Sequence, residues 1–334
     1  MKIFITGIAG FLGSHIADEM IALGHDVVGC DNLLGGYVDN VPEGATFYDI
    51  DCLDLKKLTT VMKDVDIVYH TACTAYEGLS VFSPSLITDN TLQISVNTMV
   101  AAINNKVKRF VHCSSMARYG NLGTCDYKET MDCRPQDPYG IAKHSSELLL
   151  QNLADVHGIE LVIAIPHNII GPRQKYDDPY RNVVSIATNL ILQGKQPIIY
   201  GDGNQTRSFS DVRDVVDCLV EMAFKEDAHG KIYNVGPDEE PVTVNEVIRV
   251  ICEVMDVPFD PLYVDERPQE VKHATCSSDL IRKELGYQTQ YTLKESVKSV
   301  VDYIIERGSL PFQYHLPLEI INDLTPKTWK ERMF

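Results

Sequence analysis

KIFITGIAGFLGSHIADEMIALG, residues 2–24, holds an apolar strand, a glycine-marked turn and an amphipathic helix in immediate succession. Lys2 to Thr6 alternates too little for a half-exposed strand and reads as a buried one. Gly7, Gly10 and Gly13 follow in the spacing GxxGxxG, with Phe11 and Leu12 between the last two. One glycine permits the tight turn, one lets the backbone approach a pyrophosphate, and one lets helix and strand pack closely. The first turn of the helix offers free N–H groups to phosphate oxygens. A second strand, Asp26 to Cys30, ends on Asp31, roughly 20 residues past the glycines, where a carboxylate meets a ribose 2′-OH. That carboxylate repels a 2′-phosphate, so NAD is expected in preference to NADP.

Outward from this unit, strands and helices alternate. Strands are expected at 45–50, 65–70, 110–113 and 159–165, and helices at 53–63, 88–105 and 139–157. The alternation predicts an α/β fold, a Rossmann-type doubly wound parallel sheet with helices on both faces. After Pro166 the alternation loosens and loops rich in Pro, Gly, Asp and Tyr appear. Helices are expected near 182–193, 212–225, 244–255 and 292–307. The division expected is a dinucleotide-binding domain over 1–165, to which segments near 206–236 return. A smaller C-terminal α/β substrate lobe covers 166–310, and an extension, 311–334, carries Trp329 along the surface with no assigned chemistry. The site belongs in the crevice at the carboxyl ends of the strands.

A second stretch, Phe110 to Lys143, supplies candidate chemistry. The strand Phe110–Cys113 stops on two hydroxyls, Ser114 and Ser115. Tyr139 and Lys143 stand four apart and share one helix face. A phenol is a poor base near pH 7, and an ammonium beside it favours the phenolate. Ser115, Tyr139 and Lys143 together can move a proton while a neighbouring cofactor takes a hydride. A lone YxxxK is common on solvated helix faces, so its weight comes from the glycine turn upstream.

The chain has 334 residues and a formal net charge of −17. Such acidity disfavours nucleic acid and anionic membranes, and there is no Lys/Arg run. Nine cysteines with no CxxC pair read as buried free thiols in a reducing compartment, with no metal site and no disulfide frame. No secretory leader or membrane span is read, so the expected location is cytoplasmic.

TGIAGFLGSH, Asp31-Asn32-Leu33, VKRFVHCSS, PYGIAK, HNIIGPRQ, YGDGNQTRSFSDVRDV and YNVG occur in this order. The chain thereby resembles the extended short-chain dehydrogenase/reductases, in the branch of nucleotide-sugar epimerases and dehydratases of the UDP-glucose 4-epimerase type. In that branch GxxGxxG is the normal spacing. The resemblance implies that Asp31 and Asn32 lie against the adenosine ribose, Asp51 and Cys52 meet the adenine, and Ala72 and Cys73 line the cofactor. It implies Ser115 as the catalytic hydroxyl, Tyr139 as acid/base, and Lys143 as the lysine on the nicotinamide ribose. Asn168 would contact the sugar diphosphate, Arg207 would grip it, and Arg267 resembles a second phosphate-binding arginine. The family's usual Asn aligns with Thr91, next to Asn90. Dehydratases of the branch carry an Asp-Glu pair where Met116 and Ala117 stand here. Met116 is expected to reshape the sugar pocket, while Arg118 is open. The loop Thr74–Ser80, TAYEGLS, is expected to border the sugar, and Glu77 in it reads as a surface charge and not as a catalyst. The function implied is an NAD-dependent 4-epimerase acting on a nucleotide sugar, UDP-hexose first, through a transient 4-keto sugar. The alternatives are a dehydratase working by 5,6-elimination, or a non-catalytic nucleotide-binding protein, against which the intact Ser115, Tyr139 and Lys143 set argues. A homodimer built on the helices 88–105 and 139–157 is implied as well.

Overall fold

The structure, a computed structural model, describes residues 1–123, 126–239 and 241–334. Cys125, one of the cysteines read as a free thiol, lies outside the described residues. Strands β1 (Lys2–Thr6), β2 (Asp26–Asp31), β3 (Thr46–Asp49), β4 (Ile67–His70), β5 (Arg109–Cys113), β6 (Glu160–Pro166) and β7 (Ile232–Val235) form one sheet in the order β7-β6-β5-β4-β1-β2-β3. Every pairing in it is parallel. The order reverses between β1 and β4, and a crevice opens there at the carboxyl ends of the strands.

Helices cover both faces because the central strands are mostly apolar and buried on both sides. On one face α1 (Phe11–Ala22) and the later helix Val212–Phe224 bury Ile16, Met20, Val215 and Leu219 against Ile3, Ile5 and Val111. On the other, α2 (Leu55–Val61), α3 (Ile94–Asn104) and α4 (Pro138–His157) bury Leu58, Met99 and Leu150 against Phe4, Val68 and Phe110. β7 and Val212–Phe224 thus stand in the main sheet layer although they come late in the chain. The helix Asp279–Leu285, which the sequence pattern did not suggest, joins them.

A further apolar cluster is built from α5 (Val183–Leu192), the helix Val244–Val254 and the helix Leu293–Arg307, through Val184, Ile248, Ile251, Val300 and Ile304. Both later helices start on capping boxes, Thr243 with Glu246 and Thr292 with Glu295, which satisfy two otherwise open N–H groups at each end.

Residues 311–334 pack on the surface as a mostly exposed extension held by a few buried anchors. Trp329 and Leu316 are buried, packed with Tyr76, Leu79, Phe82 and Tyr180. The carboxylate of Glu319 accepts the N–H groups of Ser85 and Leu86, both at 2.9 Å, and Ser83 donates to the carbonyl of Pro317 at 2.5 Å. Apolar burial and these bonds fasten the tail to the segment that runs from Tyr76 to Thr88.

The expected single helix over 88–105 starts earlier and is interrupted. Pro84–Thr88 is α-helical, Asp89–Gln93 is a π turn, and α3 follows. Such a turn inserts one residue into the helical register.

Candidate active site

The crevice encloses about 420 Å³ between the sheet and the later elements, within the range of small-molecule sites. Its floor is the turn after β1. Gly7 has φ +75°, which an L side chain adopts only with strain, and a Cβ on Gly13 would sit 2.2 Å from the carbonyl oxygen of Gly7. Both glycines are therefore required for α1 to start so close to β1. No side chain caps the first turn of α1, which leaves its N–H groups open to an anion. Gly10, Phe11 and Leu12 line the crevice beside them.

Asp31 closes β2 with its carboxylate accepting the N–H of Ala9 at 3.1 Å and of Leu33 at 2.8 Å. Burial raises its pKa and those two N–H groups pull it back down. Asn32 donates to Asp51 at 2.8 Å, and Asp51 and Cys52 extend the same wall. Ala72 and Cys73 follow β4 and line the crevice opposite the glycines. This cradle, with an uncapped helix end, a ribose-height carboxylate and glycines where a Cβ would intrude, fits a dinucleotide.

At the far end stand the residues of the second stretch. α4 begins behind Asp137, whose carboxylate accepts the N–H of Gly140 at 2.9 Å, with Pro138 in the position where no N–H is needed. This start aims Tyr139 into the crevice beside Ser115. Lys143, one turn on, is 2% exposed and lies 5.9 Å from the Tyr139 ring centroid. Its ammonium donates to the carbonyl of Cys113 at 2.7 Å. Burial pushes the Tyr139 phenol well above its ordinary value, and the facing Ser115 hydroxyl opposes this. The neighbouring Cys73, Glu77 and Asp137 add to the rise, and the expected lowering by Lys143 is not among the main influences on the phenol.

The later elements form the opposite wall. Asn168 donates to the carbonyl of Ser208 at 3.2 Å. Arg207 donates to the carbonyls of Thr206 at 2.8 Å and Lys272 at 3.4 Å, which leaves its charge without a carboxylate partner among the described residues. Arg267 is paired bidentately with Glu270 at 3.2 and 3.1 Å and stacks 4.6 Å from the Tyr200 ring centroid. Asn168, Arg207 and Arg267 all line the crevice.

One expectation fails here. Met116 does not line the crevice. It opens a 3-10 turn, Met116–Tyr119, capped by Ser115, and its side chain joins the cluster under α3 and α4. Glu77 is exposed, and the surface it lies on is the wall of the crevice. Arg118, left open by the sequence, is buried away from the crevice. It pairs with Glu147 at 3.1 Å, and Glu147 also takes a hydrogen bond from Ser114.

The sequence also missed lining residues. The π turn places Asn90 in the crevice, and its carbonyl accepts the N–H of Thr74 at 3.1 Å, while Thr91 is buried. Arg181, from the segment DPYRNVV, reaches across to donate to the carbonyl of Gly35 at 2.7 Å with its guanidinium 4.7 Å from the Tyr76 ring centroid. No local motif marks Arg181, because its partners lie far away in sequence.

A family model described as the NAD dependent epimerase/dehydratase family matches residues 3–236. A putative UDP-glucose 4-epimerase of Methanocaldococcus jannaschii is 32% identical, over 90% of this chain and 98% of its own length. The crystal structure of UDP-glucose 4-epimerase from Thermotoga maritima with UDP-glucose superimposes with a TM-score of 0.87 at 29% identity, covering 92% of this chain and 99% of that one. The UDP-glucuronic acid 4-epimerase of Bacillus cereus, in complex with UDP-glucuronic acid and NAD, gives 0.85 at 25% identity, covering 92% and 100%.

Proposed function

The chain belongs to the NAD dependent epimerase/dehydratase family, and within it we propose an NAD-dependent nucleotide-sugar 4-epimerase, with a UDP-hexose as substrate. The observation that carries this reading is the convergence on one crevice of the cofactor cradle, of Ser115 with Tyr139, and of Arg207. NAD held by the glycine turn, Asp31 and Lys143 supplies the acceptor, and later the donor, of a hydride.

The protein's own residues then have separate tasks. Arg207 holds the diphosphate, since guanidinium binds phosphate oxygens bidentately, and Arg267 offers a second such surface. Ser115 orients the C4 oxygen of the sugar. Tyr139 takes the C4 hydroxyl proton as the carbon is oxidised and returns it when the carbon is reduced on its other face. Lys143 supplies positive charge beneath the phenol, which favours the deprotonated form that burial disfavours. Anchoring through the diphosphate lets the 4-keto sugar turn while the nucleotide stays fixed.

Elimination of water from C5 and C6 would need a base for the C5 proton and an acid for the leaving hydroxyl. Met116 is apolar and packed in the core, and Ala117 has no functional group, so the usual Asp-Glu pair has no counterpart there. The test is incubation with UDP-hexoses in deuterated water, with products read by NMR and mass. An epimer of unchanged mass with no deuterium at C5 is expected. A product lighter by one water, or deuterium at C5, would overturn the assignment.

We infer a homodimer from the exposed apolar side chains Ile141, Leu148, Leu149 and Val156 along α4. Leu148 and Leu149 are exposed and free to pack on a second copy, whereas Met99 of α3 is consumed by the core. Dimers at micromolar concentration in sedimentation are expected. Eight free cysteines among the described residues fit a reducing, cytoplasmic setting.

A further inference from the structure

Glu77 stands on the wall of the crevice with Tyr139, Ser115, Arg207 and Arg267. It begins the short turn of helix Glu77–Ser80. Among the described residues its carboxylate has neither an ion pair nor a hydrogen bond. Its charge nevertheless acts on the Tyr139 phenol, raising it, and on both arginines. Burial and the charge of Asp137 lift the carboxyl of Glu77 above its usual range and Arg207 draws it back, while the side chain stays open to the solvent of the crevice.

The backbone beneath it is fixed from several sides. Ser80 donates to the carbonyl of Glu77 at 2.6 Å, and to Asp137 at 3.3 Å. Tyr76, the preceding residue, donates to Asp178 at 2.5 Å. Gly78, the following residue, is wedged. A Cβ there would lie 3.2 Å from Nη1 of Arg267 and 3.4 Å from the indole of Trp329. The tail therefore presses on the back of the strip whose front carries Glu77. A backbone held by these neighbours keeps the Cα of Glu77 in place at the crevice wall.

The charges around it are unevenly committed. Glu270 already neutralises Arg267. Arg207 is assigned to the diphosphate. Arg181, the other guanidinium lining the crevice, is turned to the carbonyl of Gly35 and lies over the Tyr76 ring, while Glu77 adds a negative charge to the wall that carries Tyr139.

We propose that Glu77 selects the sugar, admitting nucleotide sugars with a neutral or cationic substituent and turning away those that carry a carboxylate on the hexose. This rests on the sugar-nucleotide reading of the crevice. Like charges set against each other in a confined crevice are unfavourable, whereas a hydroxyl or an amine can donate to the same oxygens. The relative with UDP-glucuronic acid bound shows that the shared fold also accommodates a uronate, so the discrimination is assigned to a side chain and not to the architecture.

The experiment uses the NAD-loaded full chain and calorimetry with four probes: UDP, UDP-glucose, UDP-glucuronic acid and its neutral amide, UDP-glucuronamide. The acid is expected to bind at least ~10-fold more weakly than the amide, the scale of a like-charge contact. In Glu77→Gln the acid-to-amide ratio is expected to fall to within about threefold, on the same scale. Equal binding of acid and amide by the unaltered protein would overturn the proposal, and that comparison needs no variant to fold. An unchanged ratio in a folded Glu77→Gln protein would overturn it too. If UDP itself fails to bind, the sugar-nucleotide reading falls and the assignment of Glu77 falls with it, a result distinct from the first two.

Discussion

Lys143 of α4 donates its ammonium to the carbonyl oxygen of Cys113 at the end of β5, across 2.7 Å. The bond ties the helix that bears Tyr139 to the strand that leads into Ser115. Among the described residues it is the only hydrogen bond of a side chain that is 2% exposed. A buried ammonium with one neutral acceptor is costly to the fold. Lys143→Met should therefore leave thermal stability unchanged or raised, while NAD affinity and turnover both fall. A loss of about 100-fold in turnover is the expected scale for failed proton transfer. Calorimetry and a melting curve on the same sample separate the two effects.

Tyr139→Phe removes one oxygen from the crevice and nothing from the cradle. NAD binding should persist and turnover should fall by roughly 100-fold or more. Full activity in the variant would remove Tyr139 from the mechanism.

The Asp31 carboxylate, fixed by Ala9 and Leu33, faces the place of the ribose 2′-OH. NADP should bind at least ~10-fold more weakly than NAD, since its 2′-phosphate meets a negative charge with little room to move. Equal affinities in calorimetry would contradict this.

Three buried histidines make the fold sensitive to acid. His70 and His112 stack with ring centroids 5.5 Å apart, and His167 is buried between Pro237 and Cys276. Burial lowers His70 to about 3 and His167 to about 4, and it pushes His112 down as well. The unfolded chain then binds these protons more readily than the folded one. The stability they contribute is complete above about pH 6.5 and is lost as the pH falls towards 4. The slope is up to about 4 kcal/mol per pH unit if all three act together. Urea midpoints at pH 7 and pH 5.5 should differ in this sense, and identical midpoints would argue against it.

Trp329, 3% exposed, packs edge-on against Phe82 and Tyr180 with centroids 5.9 and 5.1 Å apart. Trp329→Ala should cost about 3 kcal/mol or more, the usual scale for an emptied aromatic site. Because it lies behind Gly78 on the crevice wall and does not itself line the crevice, KM should rise by a larger factor than kcat falls. A change in kcat alone would indicate another role.

The parallel sheet was legible because its strands and helices obey local periods, and the glycine turn because its steric needs leave few other residues possible. Tyr139 and Lys143 were legible for the same reason, as spacing on a single helix. The position of Asn90 was not. Whether a helix takes one π turn depends on where its carbonyls find partners, here the N–H of Thr74, and composition does not record that. Met116 was misplaced because a 3-10 turn after Ser115 swings it towards α3, a rotation invisible at the level of residue type. Arg181, Glu77 and Trp329 owe their places to contacts between segments distant in the chain, and a polar or aromatic residue in an irregular loop carries no period from which to infer them.

The tail gives the molecule an order of assembly. Strands β1 to β6, the glycine turn and α4 all leave the ribosome well before Trp329, and early segments fold first during synthesis. A nascent chain can thus complete its dinucleotide cradle while the strip at Gly78 still lacks its backing. Translation that stops after Pro311 would leave Gly78 without the indole behind it and Tyr76, Leu79 and Phe82 without their apolar cover.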